Sequence, residues 1–121
     1  MSVVDYRRHL HRIPELDNQL PQTVAYVRSL LEPLGCKIFS PITGSVCAWF
    51  DAGRNESVAF RADLDALPVT EQTGLPYASE HCGIMHACGH DGHTAMVLAL
   101  AEYVAAHLQE LPRNVLLIFQ P

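Results

Sequence analysis

The chain has 121 residues, of which 49% are hydrophobic and 17% are charged, and its formal net charge is −5 at pH 7. This composition predicts a small globular domain rather than a disordered chain, and the negative charge argues against a general nucleic-acid or anionic-membrane partner. No stretch reaches the roughly 18 uninterrupted apolar residues of a membrane helix, and the polar N-terminus is unlike a secretory signal, so we expect a cytoplasmic protein.

The first part of the chain predicts two helices. Ser2, followed three residues later by Asp5, is typical of a helix N-cap, and the helix over residues 3–11 should end before Pro14. We interpret the basic side chains of this helix as a solvated face. Pro21 fits the first turn of a second helix. Its apolar residues recur at helical spacing and predict a buried stripe: Val24, Val27, Leu30, Leu31 and Leu34.

Four segments predict β-strands. Residues 37–40, 45–50 and 57–62 are short, rich in β-branched or aromatic side chains, and bounded by turn-forming residues. Residues 51–55 predict the turn of a hairpin between the second and third strands. Residues 114–121 have a continuous apolar centre, which is typical of a strand buried on both faces. Such a strand must be covered by other structure, so we expect the chain to be part of a larger domain.

A long irregular segment separates the strands from an apolar helix. Residues 63–92 contain many glycines and prolines, and loops of this length in compact domains are usually functional. Residues 93–109 predict a helix that is buried on nearly all sides. The order of helices and strands indicates an α/β layered fold. We interpret Cys36 and Cys47 as small buried apolar residues.

The loop ends in a dense group of metal-binding residue types. Residues 86–93 hold three histidines, one cysteine and one aspartate. In Cys88-Gly89-His90, the glycine permits the bend that would turn a thiolate and an imidazole toward one ion. Asp91 fits either a ligand or a carboxylate that orients an imidazole. Further ligand or supporting candidates in the segment are His86 and His93.

Two carboxylates follow the third predicted strand. If the chain stays extended, Asp63 and Asp65 point to the same side. The carboxyl end of a sheet strand is where α/β folds place their sites. One of these carboxylates could orient a metal-bound histidine or help to hold a second ion.

A structural zinc site is the alternative interpretation of these residues. It would use Cys82, Cys88, His90 and His93 and would make the chain a complete, non-enzymatic metal-binding domain. The paired short-spacing ligands that are usual in such sites are not present in the sequence.

The motifs also carry a family resemblance. Arg-Ala-Asp-Leu-Asp-Ala-Leu-Pro at residues 61–68 and Met-His-Ala-Cys-Gly-His-Asp-Gly-His-Thr at residues 85–94 resemble the amidohydrolase family of hippurate hydrolase, N-acyl-L-amino-acid amidohydrolases and auxin-conjugate hydrolases, in the aminoacylase-like metallopeptidase clan. Residues 8–15, 70–77 and 115–121 also look like segments of that family. The resemblance therefore covers essentially the whole chain.

The resemblance implies roles for individual residues. Cys88 and His90 match two metal ligands, and Asp65 matches an aspartate that tunes a ligand of the catalytic site. Supporting roles are implied for Asp63, His86, Asp91 and His93. The catalytic base and a further ligand are a glutamate pair that the family places directly after the position of Pro121.

The implied fold is an α/β, mixed-sheet, zinc-peptidase-like catalytic domain. Residues 1–121 would be its truncated N-terminal portion, without the inserted dimerisation domain. The implied function is hydrolysis of the amide bond of N-acyl amino acids, hippurate-like or N-acetyl, with divalent Mn²⁺ or Zn²⁺ and two ions per full-length site. The chain alone would be inactive, and the full-length protein could be a homodimer. An exopeptidase or dipeptidase of the same clan remains an alternative.

Overall fold

The computed structural model describes residues 2–121 and contains a four-stranded sheet with three α-helices. The helices are α1 (Val3–Arg12), α2 (Pro21–Leu31) and α3 (His90–Ala106), and the strands are β1 (Lys37–Phe39), β2 (Val46–Phe50), β3 (Ser57–Asp63) and β4 (Asn114–Gln120). Short 3-10 helices cover Glu32–Leu34 and Leu108–Glu110. Within residues 2–121, none of the helices is long and apolar enough to cross a membrane.

The sheet is mixed, with strand order β1-β2-β4-β3. Strand β2 is antiparallel to β1 and to β4, whereas β3 is parallel to β4. The mixed α/β fold is thus confirmed, but the predicted hairpin at residues 51–55 is wrong, because β4 lies between β2 and β3.

The side chain of Asn114 explains why residues 51–55 need no hairpin ladder. Its Oδ1 accepts hydrogen bonds from the backbone N–H groups of Ala52 (2.8 Å) and Arg54 (3.1 Å). Its Nδ2 donates to the Arg54 carbonyl at 2.8 Å. The first residue of β4 therefore provides hydrogen-bond partners for the backbone of this largely exposed connection.

The core lies between the sheet and the helices. Val46, Ala48, Leu117 and Phe119 alternate on β2 and β4 and have no exposed surface. On the opposite face of β4, Leu116 and Ile118 are only half-buried in the described chain. The last strand was predicted to be buried on both faces. In the described chain the face covered by the helices is fully buried, and the opposite face is half-buried.

The helix predictions are largely confirmed. The Ser2 hydroxyl accepts a hydrogen bond from the Asp5 N–H, and the Asp5 carboxylate accepts one from the Ser2 N–H, which completes a capping box. Pro21 is in the first turn of α2. Helix α3 begins at His90, three residues earlier than predicted, because Gly89 serves as its N-cap with φ 138°.

A carboxylate caps α2 from outside the helix. The buried side chain of Glu15 accepts hydrogen bonds from the N–H groups of Thr23 (2.7 Å) and Gln22 (3.2 Å). These are first-turn donors that have no partner within the helix. The Glu15 carbonyl also accepts from Ala66 N–H at 2.8 Å, which ties the long loop to this corner.

Candidate metal centre

The carboxyl end of β3 is held by its neighbours. Gln120 on β4 donates from Nε2 to Asp63 Oδ1 at 2.6 Å, and Thr94 on α3 donates to the Asp63 carbonyl at 3.0 Å. Leu64 N–H donates to the Gln120 carbonyl at 2.7 Å, which continues the pairing beyond the strand. The sheet and α3 therefore fix the place from which the two carboxylates project.

His90, the first residue of α3, lies between those two carboxylates. Its Nδ1 is 2.9 Å from the Asp65 carbonyl oxygen and 3.1 Å from Asp65 Oδ1. Both partners are acceptors, so Nδ1 carries the hydrogen and donates. The other nitrogen, Nε2, is 3.8 Å from Asp63 Oδ2. An imidazole whose Nδ1–H is held by a carboxylate presents Nε2 in the tautomer that binds a metal.

Cys88 lies two residues before His90 and its side chain is exposed. Gly89 separates the two, and its φ of 138° is a backbone conformation that residues with a side chain rarely adopt. The glycine thus provides the sharp turn from the loop into α3 that the Cys-Gly-His spacing predicts.

The residues of the alternative structural zinc site do not assemble into a closed site. Within residues 2–121, no group of three or more histidine, cysteine, aspartate or glutamate side chains is placed to hold a metal ion. The His93 side chain is exposed, and its ring centre is 6.3 Å from that of His90. The four-ligand arrangement of Cys82, Cys88, His90 and His93 is therefore wrong for this structure, and Cys88 and His90 form at most one side of a centre.

His86 is buried and unsatisfied. Only 5% of its surface is exposed, and neither ring nitrogen has a hydrogen-bond partner among residues 2–121. It lines a cavity of ≈ 210 Å³ together with Cys88 and Asp91. Burial lowers the pKa of His86 to about 4, although the Asp91 charge raises it. The imidazole is therefore neutral at pH 7.

This burial predicts acid lability of the metal-free protein. The folded-state pKa of His86 lies below the ordinary value of 6.5, so the unfolded chain binds more protons between about pH 6.5 and pH 4. The contribution of neutral His86 to the free energy of unfolding is complete above pH 6.5 and is lost as the pH falls through that window. We expect the free energy of unfolding to drop by an amount on the order of 3 kcal/mol.

Urea titrations at several pH values between 7 and 4 measure this loss. In the His86→Gln variant the dependence should be weaker than in the wild type by that amount, whereas His107→Gln should retain the wild-type dependence. Equal pH dependence in His86→Gln and the wild type would contradict the prediction.

Asp91 faces α1 rather than the candidate ligands. Its buried Oδ2 is 2.7 Å from His11 Nδ1 and forms an ion pair with Arg7, whose Nε is 2.9 Å away. The ring of His11 is 2% exposed, so the prediction of a solvated face is wrong for this residue. His11 also contacts Glu71.

Arg7, His11 and Glu71 are not among the site residues predicted from the sequence. The available signal was the four-residue spacing of Arg7 and His11, which places both on one side of α1 beside the buried Tyr6 and Leu10.

Comparisons with known proteins agree with this architecture. The structure is similar to that of a protein assigned as an aminohydrolase from methicillin resistant Staphylococcus aureus, with TM-score 0.94, 38% identity and coverage of 99% of this chain and 32% of that chain. It is also similar to the Bacillus subtilis YXEP protein, a dinuclear metal binding peptidase from the M20 family, with TM-score 0.92, 41% identity and coverage of 98% and 34%. The aminobenzoyl-glutamate utilization protein from Klebsiella pneumoniae matches with TM-score 0.71, 25% identity and coverage of 98% and 36%.

The chain spans about a third of the length of the relatives that it matches. The model of peptidase family M20/M25/M40 matches residues 59–121, which are more than half of the chain and include both carboxylates, Cys88 and His90. The chain therefore belongs to peptidase family M20/M25/M40.

Proposed function

We propose that this chain forms one side of a divalent-metal centre in a hydrolase that cleaves the amide bond of N-acyl amino acids. The observation that carries the proposal is the placement of His90, whose Nδ1 donates to Asp65 while Nε2 faces Asp63. Cys88 adds a thiol two residues away, across the Gly89 turn.

These residues fit a metal by their chemistry. Cys88 and His90 are the proposed ligands, Asp65 orients the His90 ring, and Asp63 is the proposed contact to a second ion. Thiolate and imidazole favour Zn²⁺, whereas carboxylate also suits Mn²⁺. A divalent ion at such a site supplies Lewis acidity, which acidifies water and polarises the carbonyl of a scissile amide. Because the described residues supply no complete ligand set, we propose that a protein of the relatives' length provides the remaining ligands and the general base.

The substrate class rests on resemblance and on the relatives. The motifs at residues 61–68 and 85–94 resemble those of N-acyl amino acid amidohydrolases. Aminobenzoyl-glutamate, in the name of the Klebsiella pneumoniae relative, is itself an N-acyl amino acid. A small-molecule substrate is therefore proposed, and homodimerisation of the longer protein remains a prediction.

We expect the 121-residue chain alone to show no hydrolysis of hippurate or N-acetyl amino acids with added Mn²⁺ or Zn²⁺, because the described residues form an incomplete site. A protein of the relatives' length that contains these residues should release the free amino acid, measured with an amine-reactive reagent. Metal without protein is the blank. Turnover by the short chain above this blank would contradict the incomplete-site proposal.

The second candidate function is exopeptidase activity, which the peptidase description of the Bacillus subtilis relative favours. Parallel assays of the same longer protein on two substrates distinguish the two functions. One substrate is a dipeptide with a free amino group, and the other is the N-acetyl derivative of a single amino acid. Preference for the free dipeptide would replace the amidohydrolase proposal with the exopeptidase one.

A further inference from the structure

A buried triad of polar side chains joins α1, the long loop and α3. The triad consists of Glu71, His11 and Asp91, whose side chains are between 2% and 4% exposed. His11 Nδ1 is 2.7 Å from Asp91 Oδ2, and His11 Nε2 is 3.0 Å from Glu71 Oε1. Because both partners are carboxylates, the ring can donate from both nitrogens only as an imidazolium.

Each carboxylate of this triad also accepts hydrogen bonds from the segment of the protein to which it belongs. Glu71 accepts hydrogen bonds from the Thr73 hydroxyl and from Ser79 N–H at 2.9 Å, which closes the loop over residues 71–79. Burial raises the pKa of Glu71, but the hydrogen bonds from Thr73, Ser79 and His11 together lower it by more. The pKa of Glu71 therefore lies below its ordinary value. Asp91 accepts from Gly92 N–H at 2.9 Å in the first turn of α3. His11 thus connects the loop to the start of the helix.

This connection bears on Cys88 more than on His90. The His90 ring is already held by Asp65. The Cys88 side chain and the preceding Ala87 are exposed, so their position follows from the backbone, and that backbone is anchored where α3 begins. On the other side of Cys88, the backbone is held at Met85, which exchanges two hydrogen bonds with Leu67, so the start of α3 anchors the second end of this short segment.

We infer that His11 is a positioning residue that acts through Asp91 to place Cys88 for metal binding. The inference rests on the proposed function in one respect, that Cys88 is a ligand. The chemistry is that of an outer shell: a charge-assisted hydrogen bond fixes the segment from which the ligand projects.

Two carboxamide variants of His11 test the inference. The amide nitrogen of asparagine lies near the position of Nδ1 and keeps the hydrogen bond to Asp91. The amide nitrogen of glutamine lies near the position of Nε2 and keeps the hydrogen bond to Glu71. Both remove the imidazole ring, so a merely structural role for His11 affects them alike.

Hydrogen–deuterium exchange of the metal-free chain, followed by mass spectrometry, is the measurement. In His11→Gln we expect the amides of residues 86–93 to exchange about tenfold faster, as loss of a hydrogen bond to a charged group implies. In His11→Asn they should stay near the wild-type rate, as in the control His107→Gln at the far end of α3. Equal rates over residues 86–93 in the two His11 variants, or exchange at the unfolded rate there in the wild type, would overturn the inference.

Co²⁺ titration separates this inference from the proposed function. Thiolate-to-Co²⁺ charge-transfer absorbance that Cys82→Ser retains and Cys88→Ser loses supports Cys88 as a ligand. The affinity for Co²⁺ should be about tenfold lower in His11→Gln than in His11→Asn. A wild-type chain with no such absorbance would count against the proposed function alone, since the exchange experiment contains no metal.

Discussion

Cys88→Ser is expected to weaken Zn²⁺ binding by at least the roughly 10- to 100-fold that loss of an outer-shell partner costs. A serine hydroxyl stays protonated where a thiol ionises on binding a metal, so the variant loses a charged donor. Hydrolysis by a protein of the relatives' length should fall with metal occupancy. Competition against a chromogenic chelator measures the affinity.

Cys82→Ser is the matched control for this substitution. Cys82 is also a free, exposed cysteine, and it lies six residues earlier in the same loop. The Cys82→Ser variant should bind Zn²⁺ with the affinity of the wild type. If Cys88→Ser retained wild-type affinity and metal content, Cys88 would have to be removed from the centre.

Phe119→Ala is expected to cost about 3–5 kcal/mol of the free energy of unfolding. Phe119 is 0% exposed and is paired on β4 with Val46 of β2 and Ala62 of β3. A loss of this size is a large part of the about 5–15 kcal/mol that stabilises a typical domain. It should also loosen the end of β4, where the neighbouring Gln120 donates to Asp63.

Phe60→Ala provides the control, because Phe60 has the same side chain but is 42% exposed on β3. Urea denaturation followed by circular dichroism should show a much smaller loss for Phe60→Ala than for Phe119→Ala. Equal losses at the two positions would contradict the assignment of Phe119 to the core.

Local patterns predicted most of the elements because the physics behind them is local. The Ser2–Asp5 capping box, the proline at the start of α2 and the four strands all follow from short-range hydrogen bonding or backbone restriction. Strand pairing is a different matter. The short sequence separation between β2 and β3 favoured a hairpin, and only the burial of β4 between them decided the order.

The candidate metal centre divides in the same way. The sequence by itself determined the residue types, Cys88, His90 and the two aspartates, because thiolate, imidazole and carboxylate are metal-binding groups wherever they lie. The tertiary structure decided that Asp65 holds Nδ1 of His90, that Asp63 faces Nε2, and that His11 pairs with two buried carboxylates. These contacts join residues that are 25 to 80 positions apart in the chain. Which distant groups meet depends on how the helices pack on the sheet, and no local pattern contains that information.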